Sequence, residues 1–515
     1  MTAKLATVIA ILALMVMAGG PSLGSAFIDP DYYWHVVLGQ EMLAGGKAVA
    51  PDDVSFATVR TPYRRHSWGA DMLMAEADRR WGVAGYRLLR ALLRAATAGL
   101  VAVACLRANR SRAGGGRSRA GQSPVLALGL AALVLPFCAQ LEEMRPIALA
   151  HVLLAGAAAI HIGRERTPGA LAAAATIAIA LALSPVHPTV IVLLAWLGAT
   201  FVGARAEAAL GRGGAEARAR AGFYMRLTAA TVLVLLVDPQ PFGALQSAIF
   251  LRADPMASGR HIQEWVAPQA AGATGWLGIG IGLAAVAALA RSKRTRLDEA
   301  VLLAGMVYLG YDLARNTILL AFVALPLLAR HLGRGPRPWR VLRACVERRL
   351  YRAPRPTRAP LMGLLGAVAC LAIALSMTAR DVSSATLSTD PVAAAEAAQF
   401  PALATSWALE NVKPVRGRVL APYTWGGYLA YRLLPRFQVY QYGQNQLYDA
   451  QFWEDFTELR FEAVRKRLVE SGADFAILPN VPAPLAGPWH HILTEAGWTE
   501  VHREGQGIVL LPPAR

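Results

Sequence analysis

LATVIAILALMVMAGGPSLGSAFIDPDYYWH, residues 5–35, joins an uncharged apolar run to a polar, aromatic segment that carries two aspartates. At about 1.5 Å of rise per residue, the run 5–23 is long enough for a helix to cross the roughly 30 Å hydrocarbon core of a bilayer. The segment after it, Asp29-Pro30-Asp31-Tyr32-Tyr33-Trp34-His35, can only be hydrated or buried in protein, so the membrane boundary falls between the two. Asp31 in front of Tyr32 reads as the cap of a helix over Tyr32–Leu43, with Tyr32, Tyr33 and Trp34 as an interfacial aromatic belt.

The same alternation runs through the first three quarters of the chain. Further apolar runs lie near 88–106, 124–140, 147–162, 169–184, 188–204, 222–237, 274–290, 299–312, 316–329 and 360–378, with 299–329 also readable as a re-entrant pair. Of the 515 residues 55% are hydrophobic and 17% charged, against about 25% charged in a soluble domain. Disordered chains and coiled coils are excluded by that balance. The fold class implied is an α-helical integral membrane protein with about eleven transmembrane helices.

Charge is distributed unevenly. Residues 1–379 hold 40 Lys and Arg against 20 Asp and Glu, whereas residues 380–515 hold 12 against 14. The excess sits between apolar runs: Arg107, Arg110, Arg112, Arg117 and Arg119 in one connection, Arg291, Lys293, Arg294 and Arg296 in another, and ten arginines in 330–358. Basic connections mark the cytoplasmic side, so this pattern speaks for topology and against a nucleic-acid partner. The N-terminus is then cytoplasmic. Segments 24–87, 141–146, 185–187, 238–273, 313–315 and everything after 379 face outward, as expected of a multi-pass protein of a bacterial inner membrane. Lys4, the apolar run and Gly24-Ser25-Ala26 also resemble a cleavable signal peptide; a retained first helix is preferred, and the remaining topology is the same either way. Cys105, Cys138, Cys345 and Cys370 contain no CxxC pair, so neither a zinc site nor a disulfide framework is indicated.

Residues 380–515 change character. Short β-branched or apolar runs at Val415–Ala421, Phe437–Tyr442, Phe475–Pro479 and Gly507–Leu511, with helical periodicity over Phe452–Ser471, describe a small α/β domain outside the membrane. The division is thus 1–379, a polytopic part with the long outward loop 24–87, and 380–515, an extracytoplasmic domain. Trp425, Tyr428, Tyr440, Tyr442, Tyr448, Trp453, Trp489 and Trp498 suit either its core or the faces of sugar rings.

Ionisable residues recur at the outward turns: Asp29, Asp31 and His35; Glu142, Glu143 and Arg145; His187; Asp238, Arg260, His261 and Glu264; Asp312 and Arg315. Charges at every such turn describe a polar cavity at the outer leaflet. Asp29 and Asp31 are candidate catalytic residues, as a base with its orienting partner or as ligands of a divalent cation, Mg²⁺ or Mn²⁺. His35, Arg145, His187, Glu264 and Arg315 are candidates for binding a phosphate or an acceptor, arginine being suited to bidentate contact with phosphate.

Several short blocks in order carry a resemblance to a known superfamily: D-P-D-Y-Y-W-H at 29–35, R-H-S-W-G-A-D at 65–71, M-R-P at 144–146, H-P at 187–188, D-P-Q-P-F-G at 238–243, E-W at 264–265, A-R-N at 314–316 and W-G-G-Y-L at 425–429. The chain resembles a group of bacterial polytopic proteins associated with the GT-C superfamily of lipid-phosphate-sugar glycosyltransferases. It departs from that group at Pro185-Val186-His187, where an Asn-x-His is frequent, and at Tyr442-Gly443-Gln444, where an Asp-Gly-Arg-like triplet is frequent. The resemblance implies transfer of a hexosyl or pentosyl unit from a polyprenyl-phosphate-linked sugar to a glycan, lipid or protein acceptor of the cell envelope. It also implies that Asp29 and Asp31 match the acidic pair of the first loop. A non-catalytic transporter or envelope-assembly protein, with an outer domain that binds glycan or protein, is the alternative from a different class.

Overall fold

In the computed structural model the structure describes residues 2–25, 28–58, 63–110, 124–140, 145–239, 241–253, 266–292, 295–332, 359–386, 396–458, 460–480 and 488–514. The chain begins with α1 (Thr2–Gly19), the short α2 (Pro21–Gly24) and α3 (Pro30–Leu43). It continues through a two-strand ribbon, β1 (Val49–Ala50) and β2 (Tyr63–Arg64), into α4 (Trp68–Arg110). Then come α5 (Pro124–Ala132), α6 (Leu135–Gln140), α7 (Pro146–His161), α8 (Ala170–Val186), α9 (Val190–Ala209), α10 (Gly214–Leu236) and α11 (Gly243–Ala253). The helical part closes with α12 (Gly272–Arg291), α13 (Leu297–Asp312), α14 (Thr317–His331) and α15 (Ala359–Thr386).

Among the described residues five helices are long and apolar enough to cross a membrane, at Lys4–Leu23, Trp68–Asn109, Val190–Ala209, Gly214–Leu236 and Pro268–Arg291. Eleven crossings were expected from the apolar runs. Several of those runs form shorter helices, such as Pro146–His161 and Ala170–Val186; sixteen residues rise only about 24 Å, less than a perpendicular crossing needs. The run 124–140 is broken into α5 and α6. In 299–329 the chain forms α13, a 3₁₀ turn Ala314–Asn316 and α14, and every residue of α14 from Thr317 to His331 is buried. A helix apolar on all sides belongs inside a bundle, and α14 packs on α4, α12 and α13 as its axis.

The long α4 is two helices joined at Gly82, where φ is 53° and ψ −143°, a conformation that a residue with a Cβ adopts only under strain. The bend lets Trp68–Trp81 lie against α3 while the remainder runs into the bundle.

The C-terminal segment forms a five-stranded mixed sheet in the order β4 (Gln438–Val439), β3 (Arg418–Leu420), β5 (Phe475–Pro479), β7 (Gly507–Leu511), β6 (Thr499–Glu504). β3 pairs in parallel with β4 and β5, Val419 standing opposite both Val439 and Phe475, and the β5/β7 and β6/β7 pairs are antiparallel. Helices α16 (Ala402–Asn411), α17 (Tyr423–Leu433), α18 (Ala450–Thr457), α19 (Phe461–Val469) and α20 (Trp489–Glu495) complete it. The helix expected over Phe452–Ser471 is thus divided: Asp449 caps α18 by accepting the Phe452 N–H, and the chain restarts at Phe461. The eight aromatic residues considered for sugar stacking are all buried, none more than 8% exposed, and build the core instead.

That core is shared with the first loop. Ile28, Tyr32, Tyr33, Trp34, Val54 and Tyr63 belong to one apolar cluster with Phe400, Tyr428, Phe437 and Ile477, while the spanning helices form a second. The loop also extends the edge of the sheet: the Phe56 N–H donates to the Val439 carbonyl at 3.1 Å, the Val439 N–H to the Val54 carbonyl at 3.0 Å, and Ser55 Oγ to the Tyr440 carbonyl at 2.7 Å.

At the opposite end of the bundle a buried ionic network ties four helices. Arg220 contacts Glu207 at 2.8 Å and Asp298 at 3.3 Å; Arg296 contacts Asp298 at 3.0 Å and Glu299 at 3.3 Å; Arg330 and His331 contact Glu299 at 3.2 and 3.1 Å. Removing one partner strands the others in a low-dielectric interior, which costs about 3–5 kcal/mol. Asp298→Ala, which leaves Arg220 and Arg296 short of a partner, is expected to lower the thermal unfolding midpoint in detergent by several degrees, whereas Asp53→Ala at the surface leaves it unchanged.

Candidate active site

Asp29 stands before Pro30, whose fixed φ and missing N–H suit the first position of a helix. Its Oδ1 accepts the Asp31 N–H at 3.0 Å, so the cap of α3 is Asp29 and the helix starts two residues before the Tyr32 expected from sequence. Asp31 is thereby released from capping and turns its carboxylate to a cavity of about 230 Å³. Arg145, the residue before α7, lies between the two acids: its Nε is 3.0 Å from Asp29 Oδ2 and 3.1 Å from Asp31 Oδ2. The other Asp31 oxygen accepts the Trp34 indole N–H at 3.0 Å.

His35 lines the same cavity, one turn along α3. Its Nδ1 is 2.6 Å from Asp71 Oδ1, and both side chains are buried. Burial pulls the His35 pKa down to about 3; Asp31 acts to raise it and Arg145 to lower it further. A neutral ring whose Nδ1–H is given to Asp71 keeps Nε2 as an acceptor. His66 and Ser67 come from the turn before α4, His187 from the C-cap of α8, and Arg315 from the 3₁₀ turn between α13 and α14; all line the cavity. His187 Nδ1 accepts the Thr189 N–H at 3.2 Å. Its pKa is pushed well below the ordinary value, first by burial and then by His66, Arg315, His151 and His35.

The C-terminal segment adds Tyr423, Thr424 and Gly427 from α17 and Gly443, Gln444, Asn445 and Gln446 from the stretch after β4. Gly443 is required by close approach. A Cβ there would overlap the Trp34 indole nitrogen and stand 2.8 Å from Asp31 Oδ1.

Of the residues singled out in sequence, Asp31, His35, Arg145, His187 and Arg315 converge on this cavity, and Asp29 lies beneath it, fully buried. Glu264, with Glu142, Glu143, Arg260 and His261, lies outside the described residues. Sequence reasoning passed over Asp71, His66, Gln444 and Asn445. The first two sit in R-H-S-W-G-A-D, a polar island before an apolar run, and Gln444 in the Tyr442-Gly443-Gln444 departure, both usable signals; Asn445 had none.

A divalent cation at the acidic pair would need the space between the two carboxylates. Arg145 occupies it, and among the described residues no group of three His, Cys, Asp or Glu side chains gathers to hold a metal ion. The described residues therefore fit an arginine-bridged acidic pair and do not fit a cation there.

Burial raises the Asp29 pKa from 3.8 to about 6, against the pull of Arg145 and helped by the charge of Asp31. The fold thus favours the neutral carboxyl. The associated stabilisation is complete below pH 3.8 and is lost as pH rises through about 6. Asp29→Asn keeps a capping side chain and cannot ionise. The unfolding midpoint of the variant, measured between about pH 4 and pH 7, is expected to lose the downward drift with pH that Asp29 gives the parent.

No protein-family model and no curated protein sequence matches the chain. Solved structures do. ArnT from Cupriavidus metallidurans in the apo state matches with a TM-score of 0.52 at 15% sequence identity, over 98% of this chain and 97% of that one. The archaeal oligosaccharyltransferase AglB from Archaeoglobus fulgidus, in complex with an inhibitory peptide and a dolichol-phosphate, matches with a TM-score of 0.52 at 11% identity, over 93% of this chain and 69% of that one. At such identities the likeness is one of architecture, and it extends from the first helix to the C-terminal sheet. The fold of this chain is the one seen in ArnT and AglB.

Proposed function

We propose that the chain is an integral-membrane glycosyltransferase that moves a sugar from a polyprenyl-phosphate donor to an envelope acceptor on the extracytoplasmic face. The observation that carries this reading is the carboxylate of Asp31, free of capping duty, beside a group of basic side chains in one cavity. Arg145, Arg315, His66 and His187 would face the donor phosphate, and its hydrocarbon tail would lie among the apolar helices. AglB, of the same fold, was solved with a dolichol-phosphate and an inhibitory peptide, which supports a polyprenyl phosphate as ligand here; a glycan, lipid or protein acceptor is admitted.

In the step itself the acceptor hydroxyl oxygen attacks the anomeric carbon. The bond from that carbon to the phosphate oxygen breaks, its electron pair leaves with the phosphate, and the hydroxyl proton passes to Asp31. Asp29 acts through Arg145, positioning the guanidinium that in turn holds Asp31. The guanidiniums of Arg145 and Arg315 offset the charge that grows on the departing phosphate. In this proposal residues 1–379 form the membrane part, with the shorter apolar helices crossing as well to give about eleven spans. Residues 380–515 form an outer α/β domain docked on the first loop, with the N-terminus cytoplasmic.

The test is sugar release from undecaprenyl-phosphate-linked donors by purified protein in nanodiscs. Asp31→Asn is expected to lower turnover by roughly 100-fold or more while undecaprenyl phosphate still binds. Because Arg145 fills the gap between the acids, turnover is expected to persist in EDTA; loss that Mg²⁺ or Mn²⁺ restores would overturn the arginine-bridged assignment. A folded chain that binds lipid phosphate yet consumes no donor would instead support the transport or assembly reading.

A further inference from the structure

The groups that line the cavity sort by their origin. Turns of the helical bundle contribute arginine and imidazole; the C-terminal segment contributes Tyr423, Thr424, Gln444, Asn445 and Gln446, none of them charged near neutral pH. Carboxamides present a donor and an acceptor on one planar group, and a hydroxyl does the same on one atom, so the two are mutually complementary. A carboxylate or phosphate would call for cations and an amine for anions, and this part of the lining offers neither.

One of the amides is also incomplete. Gln444 is 1% exposed, its Oε1 lies 3.5 Å from Gln446 Nε2, and its own Nε2 has no partner among the described residues. A buried N–H left unpaired is costly, and a ligand oxygen would satisfy it. Asn445 is held in place, its Oδ1 accepting the Tyr423 hydroxyl at 2.7 Å. Gly443, packed against Trp34 and Asp31, sets Gln444 one residue away from the carboxylate.

We propose that Gln444, with Asn445 and Gln446, forms a subsite for a neutral, hydroxyl-bearing sugar unit next to Asp31, and that it selects against charged sugars. The proposal rests on the glycosyltransferase reading and specifies its substrate class. The unit is either the sugar being transferred or the terminal sugar of the acceptor.

The experiment uses the full chain in nanodiscs with undecaprenyl-phosphate-linked glucose, arabinose, glucuronic acid and 4-amino-arabinose. Release to water and transfer to methyl glucoside are measured for the parent, Gln444→Leu and Gln444→Glu. Neutral donors are expected to be preferred, and Gln444→Leu to lower kcat/KM for them by about tenfold or more. A loss seen already in release assigns the subsite to the donor sugar, and a loss confined to transfer assigns it to the acceptor. Gln444→Glu keeps the shape, adds a charge, and is expected to shift preference towards the amino sugar. Preference of the parent for a charged sugar, or a change under twofold in Gln444→Leu with the chain eluting as folded protein, overturns this inference and leaves the glycosyltransferase reading intact. If no donor is consumed, that reading fails; saturation-transfer NMR with methyl glucoside then decides the subsite, equal binding by parent and Gln444→Leu overturning it.

Discussion

Arg145 between Asp29 and Asp31 is the contact on which the cavity half of the molecule depends. It ties the start of α3 to the start of α7, two helix ends far apart in the chain, and fixes both carboxylates without using up the outward face of Asp31. The arrangement balances two costs. An acid buried as deeply as Asp29 resists ionisation, and a guanidinium beside it recovers part of that penalty only if the geometry is kept. The surrounding structure keeps it: the Tyr86 hydroxyl accepts the Asp29 N–H at 3.3 Å, and Tyr86 sits edge-on to Tyr32 within the core shared by loop and sheet.

The bundle is organised by its two ends. Helices α9, α10, α13 and α14 converge on paired charges at one end, and the turns at the other ends of α9, α13 and α14 supply His187 and Arg315 to the cavity. Charge is tolerated in the interior where partners close on each other. The paired end holds the helices in register; the cavity end gathers imidazoles and guanidiniums around the Asp31 carboxylate.

How far the sequence could be read depends on the range of the forces involved. Among the described residues, five of the eleven apolar runs lie in helices long and apolar enough to cross a membrane, legible because bilayer insertion acts on windows of about twenty residues. Phe475–Pro479 and Gly507–Leu511 were legible to the residue, being central strands whose apolar runs need no partner to be recognised. Thr499–Glu504 was missed because it is an edge strand with polar residues on both faces, and α17 because its mixture of aromatic, glycine and polar residues has no clean period. Asp31, His35, Arg145, His187 and Arg315 were found by asking what ionisable groups were doing at the ends of apolar runs. Which of them touch was not readable: the bridge from Arg145 to Asp29 spans 116 positions, and the backbone release of Asp31 by its neighbour's cap is a matter of one hydrogen bond.

The pairing of Ser55 and Val439 at the sheet edge has a consequence for biogenesis. Its partners lie 384 positions apart, so a chain emerging from the ribosome holds its acidic pair and its bundle before the strand that pairs with the first loop has been made. Such long-range closure is slow and comes last. The half-made protein therefore carries Asp29, Asp31 and Arg145 but lacks Gln444, Asn445 and the rest of the C-terminal wall, so the cavity is enclosed only after synthesis has passed them.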